Sequence, residues 1–563
     1  MYPLWVFNFN NAFRMKIRIA IGIIFTLGIY EGFCEELKSF KPGEVKLLES
    51  PFYQAQQADL NYILELEVDR LLAPFLMDAG IEPKAKRYPN WENTGLDGHI
   101  GGHYLSALSL MYASTGNVEL MERLNYMIDW LDSCQVKNGN GYVGGVPGGQ
   151  AMWNDIADGI IRASGFSLND KWVPLYNMHK LYAGLRDAYL VAGSEKALDI
   201  LIKLTDWCIY LTKELSDQQV QYMLRSEHGG LNEVFADVFE LTGEEKYLAL
   251  AKKFSHQEIL NPMLAQQNKL TGLHANTQIP KVVGYKRIAD LSNNSAWADA
   301  ASYFWSLIHD YWTISIGGNS VEEHLHPAND FSSMISSVQG PETCNTYNML
   351  RLTKLLFLTD MQAKYMDYYE RALYNHILSS ENPDKGGFVY FTPMYPGHYR
   401  VYSQPHLSFW CCVGSGMENH AKYGEMIYIH NNTDIWVNLF IPSKLEWKEK
   451  GIEIEQITDF PYGESVKLKF KLDAAKNFAL KIRNPEWVKE GGFEIWVNGS
   501  EETITNTAGP YYSIQRLWNS GDSVEIKLPM QTKIEYLPDG SSWASVVHGP
   551  VVLAVKTNRA VYN

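Results

Sequence analysis

The chain has 563 residues, too many for one compact domain, because single hydrophobic cores stop growing at about 250–300 residues. Its 46% hydrophobic and 20% charged residues are ordinary for a folded protein. A net charge of −15 with no basic patch to set against it excludes nucleic acid as an expected partner. Aromatics are abundant, with 16 Trp and 34 Tyr; such side chains stack on sugar faces, and they also fill cores.

The N-terminus reads as an export signal. Arg14, Lys16 and Arg18 precede an apolar run from Ile19 to Tyr30 that is too short for a comfortable membrane span. Residues 1–34 are assigned to this signal, and Met15 is an alternative start. Cys34 follows directly and is a candidate lipid anchor, although Glu31-Gly32-Phe33 is a poor match to the small residues usual before one. The expected location is therefore outside the cytoplasm, periplasmic or at the cell surface, with no membrane association beyond such an anchor. Setting Cys34 aside leaves five cysteines, an odd number that argues against a disulfide framework.

GEVKLLESPF reads as a short strand, and from about residue 57 the pattern turns helical. A unit then recurs: an apolar helix, a small turn, a second helix. The turns are STGNVEL, VAGSEKAL, LTGEEKYL and the degenerate LTDMQAKYM. Gly in the first three ends one helix, and the Asn, Ser or Glu after it suits the start of the next. Leu175, Met178, Tyr182, Leu185 and Tyr189 lie on one helical stripe. Repeated helical hairpins with long Gly-rich loops predict a closed α/α barrel over 35–430, with the short β segment at its start and a site built from loops at one end.

After about residue 430 apolar and polar residues alternate, as in IWVNLFIP, VKLKFKL, FALKIRNPEW, FEIWVNG and VEIKLP. In VKLKFKL, Val466, Leu468, Phe470 and Leu472 point one way and the lysines the other. This predicts an antiparallel β-sandwich over 431–563 packed on the helical domain, and its end just after VVLAVK suggests truncation.

Two stretches carry the chemistry. QGPETCNTYN holds Glu342 and Cys344, which in an extended segment would point to one side. FWCCVGSGMEN holds Cys411 and Cys412, whose sulfurs a sharp turn before Gly414 and Gly416 would bring together. Three thiolates and a carboxylate make an acceptable tetrahedral set for zinc. The competing explanations are buried inert thiols and a strained vicinal disulfide. Glu322 and Glu323 stand in IGGNSVEEHLHPAND, where partial burial would raise a carboxyl enough to protonate a leaving oxygen; two solvated loop glutamates are the alternative. His99, His103, His179, His228 and His274 are spread through the helical region; a lone His in a helix is more often a satisfied core residue, whereas a His in each of several repeats is better explained by a common cleft. A metal-held Cys411 or Cys412 facing that cleft would be a nucleophile needing no base, whereas four protein ligands are the usual mark of structural zinc.

From about residue 45 onward the sequence resembles the β-L-arabinofuranosidase families 127 and 146 of the glycoside hydrolases, and it looks closer to the second. The resemblance is carried by GLDGHIGGHYLSALSLMYASTG, HKLYAGLRDAY, EHGGLNEVFADVFELTG, GLHANTQIPKVVG, GGNSVEEHLHPANDF, QGPETCNTYNMLRLTKLLF and FWCCVGSGMEN, all in order. It implies an (α/α)6 barrel followed by β-sandwich domains, and zinc held by Glu342, Cys344, Cys411 and Cys412. It implies Cys411 as nucleophile of a retaining mechanism and Glu323 as acid/base, with Glu322 in reserve. It implies sugar contacts from His179, His228, His274 and Tyr390. The implied substrate is a plant oligosaccharide or polysaccharide bearing terminal β-L-arabinofuranose. Rival readings are an α/α-barrel lyase, uronyl hydrolase or epimerase with structural zinc, and a glycan-binding protein without catalysis.

Overall fold

The computed structural model describes residues 36–503 and 510–556. The export signal read at 1–34, with Cys34, lies outside them. Among the described residues no helix is long and apolar enough to cross a membrane.

Six helices, His99–Thr115, Pro174–Leu190, Leu231–Thr242, Ala275–Ser292, Thr343–Thr359 and Cys411–Ala421, pack each against the next and the last against the first. That closed ring is the inner wall of an (α/α)6 barrel. Each has an outer partner: Val118–Asn138, Glu195–Thr212, Glu245–Lys253, Ser295–Tyr311, Ala363–Ala372 and, for the last, Pro51–Glu65. The hairpin turns follow the residues that mark them. Gly116 takes φ 76° at the end of one helix, and the Asn117 side chain accepts from the Glu119 N–H at the start of the next. The Ser194 side chain caps the Ala197 N–H in the same way. The inner helices are buried nearly all round rather than along one stripe, because the outer ring covers one side and the barrel interior the other. His99–Thr115 and Pro174–Leu190 approach closely enough that a Cβ on Gly102 would meet the Lys180 backbone, and one on Gly184 would meet Gly102.

The strand-rich part forms two main sheets. One orders Lys38–Ser39, Tyr428–His430, Ile435–Val437, Lys476–Arg483 and Tyr511–Trp518; within it only Ile435–Val437 and Lys476–Arg483 run parallel. The other orders Ser500–Glu501, Glu494–Val497, Ser523–Lys527, Ser465–Leu472, Ile452–Thr458, Ser443–Trp447 and Val45–Leu47. Phe470 of the second sheet stacks on Trp518 of the first at 4.6 Å between ring centroids, so the two sheets share a core. In Ser465–Leu472 the four apolar side chains are buried and the lysines are not, each apolar burial stabilising by about 1.5–3 kcal/mol. The segment GEVKLL pairs Val45–Leu47 with Ser443–Leu445, tying the start of the chain into the sandwich.

Candidate active site

Both cysteine stretches open helices. Glu342 is the N-cap residue of Thr343–Thr359 and Cys344 stands in its first turn; Cys411 and Cys412 are the first two residues of Cys411–Ala421. The four donors converge because two helix N-termini meet, rather than through an extended segment and a glycine turn. The difference matters chemically: helix N-termini carry partial positive charge and favour thiolates. Gly414 and Gly416 lie inside the helix and serve packing, since a Cβ there would strike the His103 ring and the Phe388 ring respectively. The sulfurs of Cys344 and Cys412 are 3.1 Å apart and those of Cys411 and Cys412 3.9 Å; all are free thiols, which removes the vicinal disulfide. Glu342 Oε1 is 3.8 Å from Cys411 Sγ and 3.7 Å from Cys412 Sγ.

Donor atoms of Glu342, Cys344, Cys411 and Cys412 all lie within 4.8 Å of one another, and all four residues are buried. Glu342 Oε2 is buried without a hydrogen-bond partner, a costly state for a carboxyl that a cation would relieve. The residues present therefore fit a metal ion.

Glu323 reaches the same place from a tight turn. Val321 and His324 exchange backbone hydrogen bonds of 3.0 and 2.9 Å, leaving Glu322 and Glu323 as the two central residues of a hairpin. Both have positive φ, 49° and 67°, the pattern of a type I′ turn that Asn-Gly ordinarily supplies. The turn is pinned on either side by the Ala275 N–H on the Glu323 carbonyl at 2.8 Å and the Glu322 N–H on the Gln339 carbonyl at 2.8 Å. Within it the two side chains part. Glu322 is exposed and accepts from Ser337 Oγ at 3.0 Å, whereas Glu323 accepts from the Tyr390 hydroxyl and faces His274 Nε2 at 3.6 Å.

A cavity of about 330 Å³ joins these groups, with Glu227, His274, Asn276, Glu323, Glu342 and Cys411 as its polar lining. Its apolar lining includes Trp91, Phe166, Trp172, Tyr176 and Tyr390, with the Trp91 and Trp172 rings edge to face at 5.1 Å. A wall of aromatic faces beside a few carboxylates is suited to a sugar ring. A larger cavity of about 460 Å³, between Arg371 and the strand Thr532–Tyr536, holds none of the cysteine cluster.

The family model described as the catalytic domain of GH127 β-L-arabinofuranosidase matches residues 44–425, more than half the chain, and the model of the GH127 middle domain matches 434–530. The chain belongs to the GH127 β-L-arabinofuranosidase family. It is thus a glycoside hydrolase, of the first of the two families that its sequence resembles. Solved structures agree in fold. Ara127N-Se, a GH127 β-L-arabinofuranosidase from Geobacillus stearothermophilus T6, is 19% identical with TM-score 0.70, covering 90% of this chain and 86% of that one. The GH127 β-arabinofuranosidase BT3674 is 22% identical with TM-score 0.74, covering 92% and 85%. No curated protein matches the sequence.

In this GH127 enzyme, His274, Tyr390, Glu323, Glu342 and Cys411 meet in the cavity, but His179 and His228 do not line it. His179 is buried against Gly229 and Gly230, both ring nitrogens unpartnered. His228 is buried with Nδ1 on the Ser226 carbonyl at 3.0 Å and its ring against His256. Burial holds both far below the ordinary imidazole value, so each is a neutral side chain behind the wall. Their neighbours Tyr176 and Glu227 take the wall positions instead. Each of the two segments brings a different residue to the cavity wall. Which residue of each faces the cavity depends on helix phase and on the Gly229 turn, and a lone sequence does not fix those.

Charges in the site are unevenly held. Burial acts to raise the Cys344 thiol, but hydrogen bonds from Cys411 and Cys412 outweigh it and bring it down to about 6. Cys411 is pushed up by its hydrogen bond to Cys344 with burial adding, and Cys412 is pushed up by burial first. The cluster thus favours ionisation at Cys344 and disfavours it at Cys411 and Cys412. Burial raises Glu227. Burial also acts to raise Glu323, yet hydrogen bonds from His274 and Tyr390 prevail and hold it below the ordinary carboxyl value. That corrects the expectation of a raised acid at Glu323. His274 is raised despite burial by its bond to Glu323, the same contact that lowers Glu323, so the pair holds a proton to higher pH than a free imidazole would.

Proposed function

We propose that the protein is an exported retaining hydrolase that releases terminal β-L-arabinofuranose from arabinose-bearing plant glycans, with Cys411 as nucleophile, Glu323 as acid/base and zinc as the metal. The observation that carries it is the opening of Cys411 and Glu323 into one aromatic-walled cavity, the sulfur being part of a four-donor cluster. Glu342, Cys344, Cys411 and Cys412 would hold the ion, and three sulfurs in the set favour zinc over magnesium or calcium. Zinc bound there keeps its sulfurs ionised at neutral pH and spreads their charge.

Cys411 attacks the anomeric carbon while Glu323 donates a proton to the departing glycosidic oxygen; the C–O bond breaks and a C–S bond forms. Glu323 then takes a proton from the incoming water, whose oxygen displaces the Cys411 thiolate with net retention. His274 supplies Glu323 with its proton through their contact, and the Tyr390 hydroxyl fixes the carboxyl's orientation. Trp91, Trp172 and Tyr176 exclude water and stack on the sugar. Glu227, whose carboxyl is raised by burial, lines the cavity where it can hydrogen-bond a sugar hydroxyl.

The test is turnover of a panel of arabinose-capped plant oligosaccharides by wild type, Cys411→Ser and Glu323→Gln, with metal content measured alongside. Release of arabinose by wild type only is expected. Wild-type levels of release from Cys411→Ser would sink the nucleophile assignment, and no arabinose from any member of the panel would sink the substrate class.

A further inference from the structure

A second set of donors adjoins the cysteine cluster. One nitrogen of His274 and one oxygen each of Glu323 and Glu342 lie within 4.8 Å of one another. They come from three separate places: the residue before helix Ala275–Ser292, the hairpin tip, and the residue before helix Thr343–Thr359. An imidazole and two carboxylates leaving one position open to the cavity is a donor set that divalent zinc accepts. We propose that His274, Glu323 and Glu342 form a second, weaker divalent-metal position whose occupation switches the hydrolase off by tying up its acid/base. The proposal rests on Glu323 being that acid/base.

Three observations support it. Glu342 turns Oε1 toward the sulfurs while Oε2 is buried with no hydrogen-bond partner, so one carboxylate can bridge two ions. His274 and Glu323 are side chains with 12% and 32% exposure at the cavity, accessible to an ion from solvent. Tetrahedral ligation needs donor spacings of roughly 3.3–3.4 Å, so a modest inward movement suffices. The His274 Nδ1 accepts from the Thr277 N–H at 3.3 Å and lies 2.9 Å from Thr277 Oγ1, which orients the ring with Nε2 toward Glu323. The charge sum favours entry as well: two dications against three thiolates and two carboxylates leave one net negative charge, less than a single ion leaves. Binding breaks no covalent bond; it displaces the shared proton of the His274–Glu323 pair to solvent.

The experiment uses the full-length holoenzyme freed of loosely held metal. Zinc is added up to about 1 mM, with magnesium in parallel, and bound metal per chain is read by equilibrium dialysis without substrate. Initial rates on p-nitrophenyl β-L-arabinofuranoside are read separately. A second zinc per chain is expected, with the rate falling in step with its binding and no effect of magnesium. In His274→Ala the second ion should bind at least about tenfold more weakly while the first is retained, which also reports that the variant is folded. A stoichiometry that stays at one, or a second ion bound equally well by His274→Ala, would overturn the proposal. If wild type lacks arabinofuranosidase activity, the hydrolase reading fails on its own, because the dialysis arm needs no turnover.

Discussion

At the scale of single residues, the adjacent glutamates Glu322 and Glu323 separate two roles that the sequence left together. Only Glu323 reaches the cavity, so Glu323→Gln should lower kcat/KM on natural glycosides by about 10²–10⁴, and by much less on p-nitrophenyl substrates, whose leaving group needs little protonation. Glu322→Gln should stay within about twofold on both. Equal losses from the two variants in steady-state assays would refute the assignment. The pH profile follows from the shared proton. His274 is raised and Glu323 lowered by the same contact, so the pair keeps its proton to above the ordinary imidazole value and loses it as pH rises further. An alkaline limb in kcat/KM lying above about 6.5 is expected, moved or abolished in His274→Gln; a limb unchanged in that variant would assign it elsewhere. Legibility at this scale was uneven. Cys344, Cys411 and Cys412 were rare residues in distinctive strings, whereas Tyr176 and Glu227 were ordinary residues whose place in the cavity wall comes from which way one turn of helix or loop points.

At the scale of elements, the turn presenting Glu323 is held in a conformation that its residues do not favour. Two non-glycine residues at positive φ cost roughly 1–2 kcal/mol each, offset here by the backbone bonds to Ala275 and Gln339. Glu322→Asn places a residue suited to the left-handed region at the first central position. It should raise stability by about 0.5–1 kcal/mol in urea unfolding with turnover nearly unchanged. A loss of stability would show that the Ser337 contact outweighs the backbone strain. The string VEEH contains no Asn-Gly or Asp-Gly, which is why it reads as a Gly-rich loop and its hairpin is found only in the fold. The glycines of CCVGSGMEN mislead in the opposite direction: they look like a turn and are the close-packed face of a helix, because their purpose lies in His103 and Phe388, far away in sequence.

At the scale of the molecule, the barrel and the sandwich were both legible, since helical hairpins with capped turns and strands with strict alternation are local patterns. The closure of the ring, and the pairing of Val45–Leu47 with a strand some four hundred residues on, are not local and carry no signature of their own. A collective property follows from the buried polar interior. His103 is pushed down to about 4, and His256, His376 and His420 to about 3, all chiefly by burial, while His179 and His228 lie well below 6.5. Each takes up a proton near 6.5 when unfolded and refuses it when folded, so the stability they contribute is complete above 6.5 and is lost as pH falls through 6.5 toward 4 and 3. The urea midpoint should therefore be lower at pH 5.5 than at 7.5, and His256→Gln should remove about one proton's share of that slope. A slope left unchanged in His256→Gln would mean that this imidazole is not buried in neutral form.

The proposed hydrolysis depends on the sulfur of Cys411 becoming bonded to the sugar. In Glu323→Gln mixed with p-nitrophenyl β-L-arabinofuranoside, the activated leaving group departs without an acid, while the water step lacks its base. Acid-quenched samples analysed by peptide mass mapping should then show one pentosyl group on the peptide that carries Cys411. Sustained release of p-nitrophenol with no adduct on that peptide, or an adduct located on a carboxylate, would contradict it.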